Sequence, residues 1–178
     1  ASGAFDYAAD RVGLTYGATA ALNQADWAVR SGYFLLPVVS NGNIVDWNLL
    51  SRGEYVTELE LRFKPFGKQA NLKGGLFLNS GFSGSYNDAV VLAATTGTEI
   101  NAAIAQTRQT RTKYGYYLNL QQEITDDIGV FGRWSWNDGR TEIMAFTDID
   151  ASLSLGASIK GTAWSRPDDR IGMAGAHN

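Results

Sequence analysis

Eight stretches of this sequence alternate apolar and polar side chains with a period of two, the periodicity of a strand whose two faces meet different surroundings. In residues 113–124, KYGYYLNLQQEI, one side carries Tyr114, Tyr116, Leu118, Leu120 and Ile124, and the other carries Lys113, Gly115, Tyr117, Asn119, Gln121 and Glu123. The remaining stretches are residues 13–23, 27–37, 54–64, 71–80, 128–136, 150–160 and 170–178. In all eight the apolar side is free of charge, while the opposite sides hold Arg30, Glu58, Glu60, Arg62, Lys73, Arg133 and Lys160 among others.

The expectation is an all-β chain of about eight antiparallel strands. Its connections alternate in length: short at 24–26, 65–70, 125–127 and 161–169, long at 38–53, 81–112 and 137–149. That is the order of an up-and-down transmembrane β-barrel, with tight periplasmic turns and larger external loops. Residues 1–178 read as one domain without linker or repeat. The long loop 81–112 contains an Ala-rich stretch, 88–109, expected to hold a short helix. It either folds inward or caps the outside.

A soluble β-sandwich would also separate its faces. Mean hydropathy, −0.18, does not decide between them, because only alternate residues of a barrel meet lipid. The placement of the rings does. Tyr16, Tyr55, Tyr114, Tyr116, Trp134 and Trp136 fall on outward faces near the long-loop ends, and Trp27 and Phe63 near the short-turn ends; Tyr33 fits less well. Two such belts are the aromatic girdles of an outer-membrane barrel, whereas a sandwich would bury its rings mid-core. Tyr55 to Phe63 spans roughly 26 Å at ~3.3 Å per residue. Tilted by ~40°, this covers about 20 Å of height, close to the ~25 Å apolar band of such barrels. The transmembrane barrel is therefore the leading reading, with the sandwich as the alternative.

Other function classes find little support. The chain has no cysteine, which removes disulfides, thiol catalysis and cysteine metal sites. A net charge of −3 and a pI near 5.1 do not suit a nucleic-acid partner. His177 is the sole histidine, too few for a multi-histidine metal site and poorly placed for a Ser–His–Asp triad. Asp148/Asp150 and Asp168/Asp169 offer oxygen ligands for calcium, but turn chemistry accounts for them. Glu58 and Glu60 could suggest a glycosidase pair; on one face of one strand, pairing within the wall is the simpler account. No enzyme activity, cofactor or metal is expected.

Several motifs taken together resemble one family. They are RGEYVTELELRF (52–63), the stretch 110–161 with RWSWNDG, FTDID and SLSLG, and WSRPDDRIGMAG (164–175). In this order they resemble the OprB-type carbohydrate-selective porins of the bacterial outer membrane, and residues 17–37 look like a hairpin of that family. The resemblance implies a barrel of about sixteen strands, of which this chain would supply about half. Alternation is cut at both ends, and the terminal strand ending in an aromatic residue is missing, so a partial chain is expected. The other possibility is a closed eight-stranded barrel, whose interior side chains would fill.

What the resemblance implies is passive diffusion of sugars through a polar lumen, with outer-membrane lipid and lipopolysaccharide around it. Neutral sugars carry hydroxyls and apolar ring faces, so a wall that favours them should offer fixed hydrogen-bonding charges and aromatic surfaces. Among inward residues, Arg30, Glu58, Glu60, Arg62 and Arg133 are the expected polar lining, and Phe77, Tyr117 and Phe131 the expected stacking surfaces. These residues could equally pair among themselves to support the wall. A non-conducting structural or adhesion barrel with a plugged interior is the alternative function. Sequence does not decide the sugar, the ion selectivity or the oligomeric state.

Overall fold

The computed structural model describes residues 3–146 and 148–178. Its strands are β1 (Gly17–Asn23), β2 (Trp27–Phe34), β3 (Gly53–Phe63), β4 (Ala70–Ser83), β5 (Gln109–Glu123), β6 (Ile128–Asn137), β7 (Ala151–Gly161) and β8 (Arg166–His177). They form one sheet in sequence order, each strand antiparallel to the next. This is the meander that the alternation implied. A sandwich would need a second sheet packed on the first, and the described strands all belong to one. β1 and β8 do not pair with each other among the described residues, so these eight strands form an open wall and not a closed small barrel.

Register aligns the outward residues from strand to strand. Leu59 lies opposite Val29 and Gly74, Leu118 opposite Gly74 and Trp134, and Leu153 opposite Trp134 and His177. Tyr33 pairs with Tyr55, and Tyr116 packs on Trp134 and Trp136 with ring centroids 5.5 and 5.1 Å apart. Most outward Leu, Tyr and Trp side chains are exposed, with Leu72 and Trp136 half-buried; this is the reverse of a water-soluble sheet and the arrangement that lipid contact requires.

The small apolar core lies elsewhere. Ala8, Leu36 and Met144 are buried together with Phe34 against them, where the segment before β1 meets the β2–β3 and β6–β7 connections. Leu36 explains one departure from the alternation: β2 ends at Phe34, not at residue 37, because Leu35, Leu36 and Pro37 are buried off the ladder, and Pro37 has no N–H to continue it. β1 starts at Gly17 because residues 10–14 form a turn. Asp10 Oδ1 accepts from the Val12 and Leu14 amides at 2.9 Å each, and Gly13 is left-handed with φ 88°. β4 and β5 run past residues 80 and 113, through the pairs Gly81–Arg111, Phe82–Thr110 and Ser83–Gln109. β8 begins at Arg166, four residues earlier than the alternation suggests; it is an edge strand, where Pro167 is tolerated.

Between β4 and β5 lie α1 (Tyr86–Thr96) and α2 (Ile100–Gln106). Ser85 caps α1 by accepting from the Asp88 amide at 3.2 Å, and left-handed Gly97 ends it. Glu99 caps α2 by accepting from the Ala102 amide at 3.0 Å.

Candidate functional site

The inner wall of β2, β3 and β4 carries a connected set of charges. Arg30 is paired in register with Glu58 and donates to its Oε1 at 2.9 Å. Glu60 is the hub: Oε1 accepts from Arg62 Nε at 2.9 Å and Asn71 Nδ2 at 2.6 Å, and Oε2 faces Arg30 and, at 3.9 Å, Lys73 Nζ. Tyr117 on β5 donates its hydroxyl to Glu58 Oε2 at 2.7 Å. Five of the expected lining residues, Arg30, Glu58, Glu60, Arg62 and Tyr117, therefore meet in one network. The arginines are only part-buried, so each ion pair stabilises the fold by no more than about 1 kcal/mol. Their larger effect is on the electrostatic field over this face of the sheet.

Arg133 stands apart. Its guanidinium lies over the Phe131 ring, 5.0 Å from the centroid, a cation–π contact. Among the described residues it makes no ion pair. With Glu58, Asn71, Lys73, Asn119 and Gln121 it lines a hollow of about 190 Å³. Arg30, Arg62, Lys73 and Arg133 outnumber Glu58 and Glu60 here, leaving this part of the wall with a surplus of positive charge.

The inward rings lie over glycines on the neighbouring strand. A Cβ on Gly75 would sit 2.4 Å from Tyr117, one on Gly115 2.5 Å from Phe77, and one on Gly156 2.4 Å from Phe131. The missing side chains let each ring lie flat along the wall.

Alternation did not reveal the segment that covers two of these rings. Residues 4–8 cross the inner face near the long-loop end. The Ala4 amide donates to Ser135 Oγ at 3.1 Å, and Asn137 Nδ2 donates to the Ala4 carbonyl at 3.0 Å. Asn79 Nδ2 donates to the Asp6 carbonyl at 2.8 Å; Asp6 Oδ1 accepts from the Met144 amide at 2.7 Å, and Oδ2 is 3.8 Å from Lys113 Nζ. Phe5 packs on Phe77 and Tyr117 with centroids 4.8 and 5.9 Å apart. Phe77 is consequently 1% exposed and Tyr117 7%. Neither ring presents an open face to the lumen, and Phe131 alone of the three expected stacking rings is not buried. The signal for this segment was the set Asn79, Lys113, Ser135 and Asn137, inward polar groups that require partners once covered.

The long connections are tied to one another by charge. Arg108 donates to both oxygens of Glu142 at 2.8 Å, and Glu142 Oε2 also accepts from the Gly84 amide at 2.8 Å. Burial alone would raise the Glu142 pKa, but the Arg108 guanidinium and the amide outweigh it and hold the carboxyl below its ordinary value. Tyr86 donates its hydroxyl to Asp148 at 2.8 Å between the same two connections, and Arg52 pairs with Asp46 at 2.8 Å within the β2–β3 connection.

The model of the carbohydrate-selective porin family, OprB, matches residues 4–178. No curated protein matches the chain. Among solved structures, the high-pH structure of Pseudomonas putida OprB aligns with a TM-score of 0.69 at 18% identity, over 91% of this chain and 39% of that one. At that identity the alignment speaks for the fold, and the present chain spans well under half of that protein's length. With residues 4–178 matched by the family model, the chain belongs to the carbohydrate-selective porin family, OprB.

Proposed function

We propose that this chain is part of the wall of a bacterial outer-membrane channel through which carbohydrates and other small solutes diffuse passively. The observation that carries the reading is the division of one sheet into two faces. Leu, Tyr and Trp are exposed on one side, and the Arg30–Glu58–Glu60–Arg62 network lies on the other. A wall of that kind separates lipid from water. The proposed lining is Arg30, Glu58, Glu60, Arg62 and Arg133 with the Phe131 ring, while Tyr117 acts through its hydroxyl on Glu58. Fixed donors and acceptors exchange hydrogen bonds with sugar hydroxyls as water leaves, and no covalent step is involved. Lipid and lipopolysaccharide surround the outer face.

The second reading, a plugged and non-conducting barrel, is favoured by residues 4–8 lying on the inner face. Liposome swelling with the full-length protein and a graded series of neutral sugars separates the two. Uptake that falls with sugar size, and exceeds that of amino acids of similar size, supports the channel. Correctly inserted protein without uptake supports the plug.

A further inference from the structure

Residues 47–52 are held at the rim by strand residues of the outward face. Tyr16, Tyr33 and Ser80, and by alternation Phe82 and Thr110, all belong to that set. Tyr16 packs on Trp47 with ring centroids 5.3 Å apart. The single proton of the Tyr33 hydroxyl is shared between the Leu49 carbonyl at 2.6 Å and the Arg52 carbonyl at 3.0 Å. Ser80 Oγ donates to the Ser51 carbonyl at 3.0 Å, Arg52 Nε donates to Thr110 Oγ1 at 3.2 Å, and the Arg52 guanidinium lies 5.2 Å from the centre of the Phe82 ring. The base of the loop is closed by the Asp46–Arg52 pair and by Asn48, which donates to Asp46 through its amide and its side chain. The loop is built, yet it turns Trp47, Leu49 and fully exposed Leu50 outward.

A loop rising into water above a pore would gain nothing from such a ridge. Its continuity with the outward girdle of Tyr33 and Tyr55 argues for the same surroundings, since Trp and Tyr favour the boundary of a bilayer and Leu its interior. Resting on the outer-membrane reading above, we infer that residues 47–50 dock into the outer leaflet, with Leu49 and Leu50 among the upper acyl chains and Trp47 at headgroup level. The loop widens the belt with which the β1–β3 side grips lipid. The hydroxyl of Tyr33 fixes its height by holding the loop's carbonyls.

The test uses the full-length protein in phosphatidylcholine vesicles. A nitroxide is attached at Leu50→Cys, with Leu59→Cys as a mid-wall reference and Asn101→Cys as an aqueous one; this chain contributes no cysteine of its own. Collision with oxygen, which partitions into lipid, is compared with collision with a water-soluble nickel chelate. The expected result is that Leu50→Cys, like Leu59→Cys, favours oxygen, and that Asn101→Cys favours the chelate. Chelate dominating at Leu50→Cys would make the loop a solvated rim and overturn the inference. Inaccessibility to both reagents would mean that polypeptide covers the ridge, another segment or a second copy, and would overturn it equally. Should Leu59→Cys also fail to favour oxygen, the fault lies in the outer-membrane reading itself.

Discussion

Tyr117 donates its hydroxyl to Glu58 across a strand that separates them: Gly75 of β4 is paired with Glu58 on one side and Tyr117 on the other. The ring reaches Glu58 because Gly75 has no side chain; a Cβ there would lie 2.4 Å from the ring. Gly75→Ala is expected to tip the ring, lose the hydrogen bond and destabilise the wall by about 1–3 kcal/mol. Tyr117→Phe, which keeps the ring, should cost only ~0.5–1.5 kcal/mol. The heat-modified gel shift of the full-length protein ranks the two, and single-channel conductance should fall for Gly75→Ala. Equal behaviour of both variants would show that the ring does not depend on that gap.

Charge in the lumen is open to a direct test. Glu60→Gln removes the carboxylate facing Arg30, Arg62 and Lys73, and should move ion selectivity toward anions at a cost of about 1 kcal/mol per part-buried pair. Arg133→Gln should move it toward cations. Reversal potentials across a salt gradient report both shifts, and opposite signs are expected. Two unmoved potentials would locate the selective field elsewhere in the protein.

The segment crossing the inner face predicts a gain of function. Phe5→Ala removes a ring packed on Phe77 and Tyr117 and should weaken docking of residues 4–8 by about 1–2 kcal/mol. Asp6→Asn leaves Lys113, 3% exposed, without its counter-charge, a loss of about 3–5 kcal/mol where a buried pair is broken. Both variants should raise conductance and speed the uptake of larger sugars, Asp6→Asn more so. Unchanged conductance in both would mean that residues 4–8 do not limit the path.

Acid should loosen the long connections through Glu142. Its pKa is held below the ordinary value by Arg108 and the Gly84 amide. The stability it contributes is therefore present above the unfolded carboxylate pKa of about 4.3, and is lost as pH falls through the lower, folded value. Amide exchange in residues 84–108, corrected for intrinsic rates, should stay flat from neutral pH to that point and rise below it. Glu142→Gln should exchange faster at every pH. A rise already near neutrality would point to a different group.

Strand order and the two faces were legible because two different surroundings impose period two on every strand. Leu59, Leu118 and Leu153 could each be assigned outward from their neighbours alone. The strand ends were less legible. The alternating segment runs on to Pro37 in sequence, yet β2 ends at Phe34, where Leu36 turns in to pack on Met144 and Ala8. The inner wall was legible in membership but not in access. Periodicity assigned Phe77 and Tyr117 to the lumen side, but it carries no information on what lies over them. Their cover, residues 4–8, has no repeat of its own and finds its partners on β4, β5 and β6, distant in sequence.

The small core of Ala8, Leu36 and Met144 gives this chain two solvents. That cluster forms by withdrawing apolar surface from water, so its contribution should carry the positive heat capacity of unfolding familiar from soluble domains and fade on cooling. On the proposed outer-membrane reading, the outward Leu, Tyr and Trp of the strands exchange water for acyl chains, and answer to bilayer thickness and composition. A calorimetric trace should therefore resolve a lipid-insensitive step for the rim from a lipid-dependent step for the wall, with residues 34–37 as the seam between them.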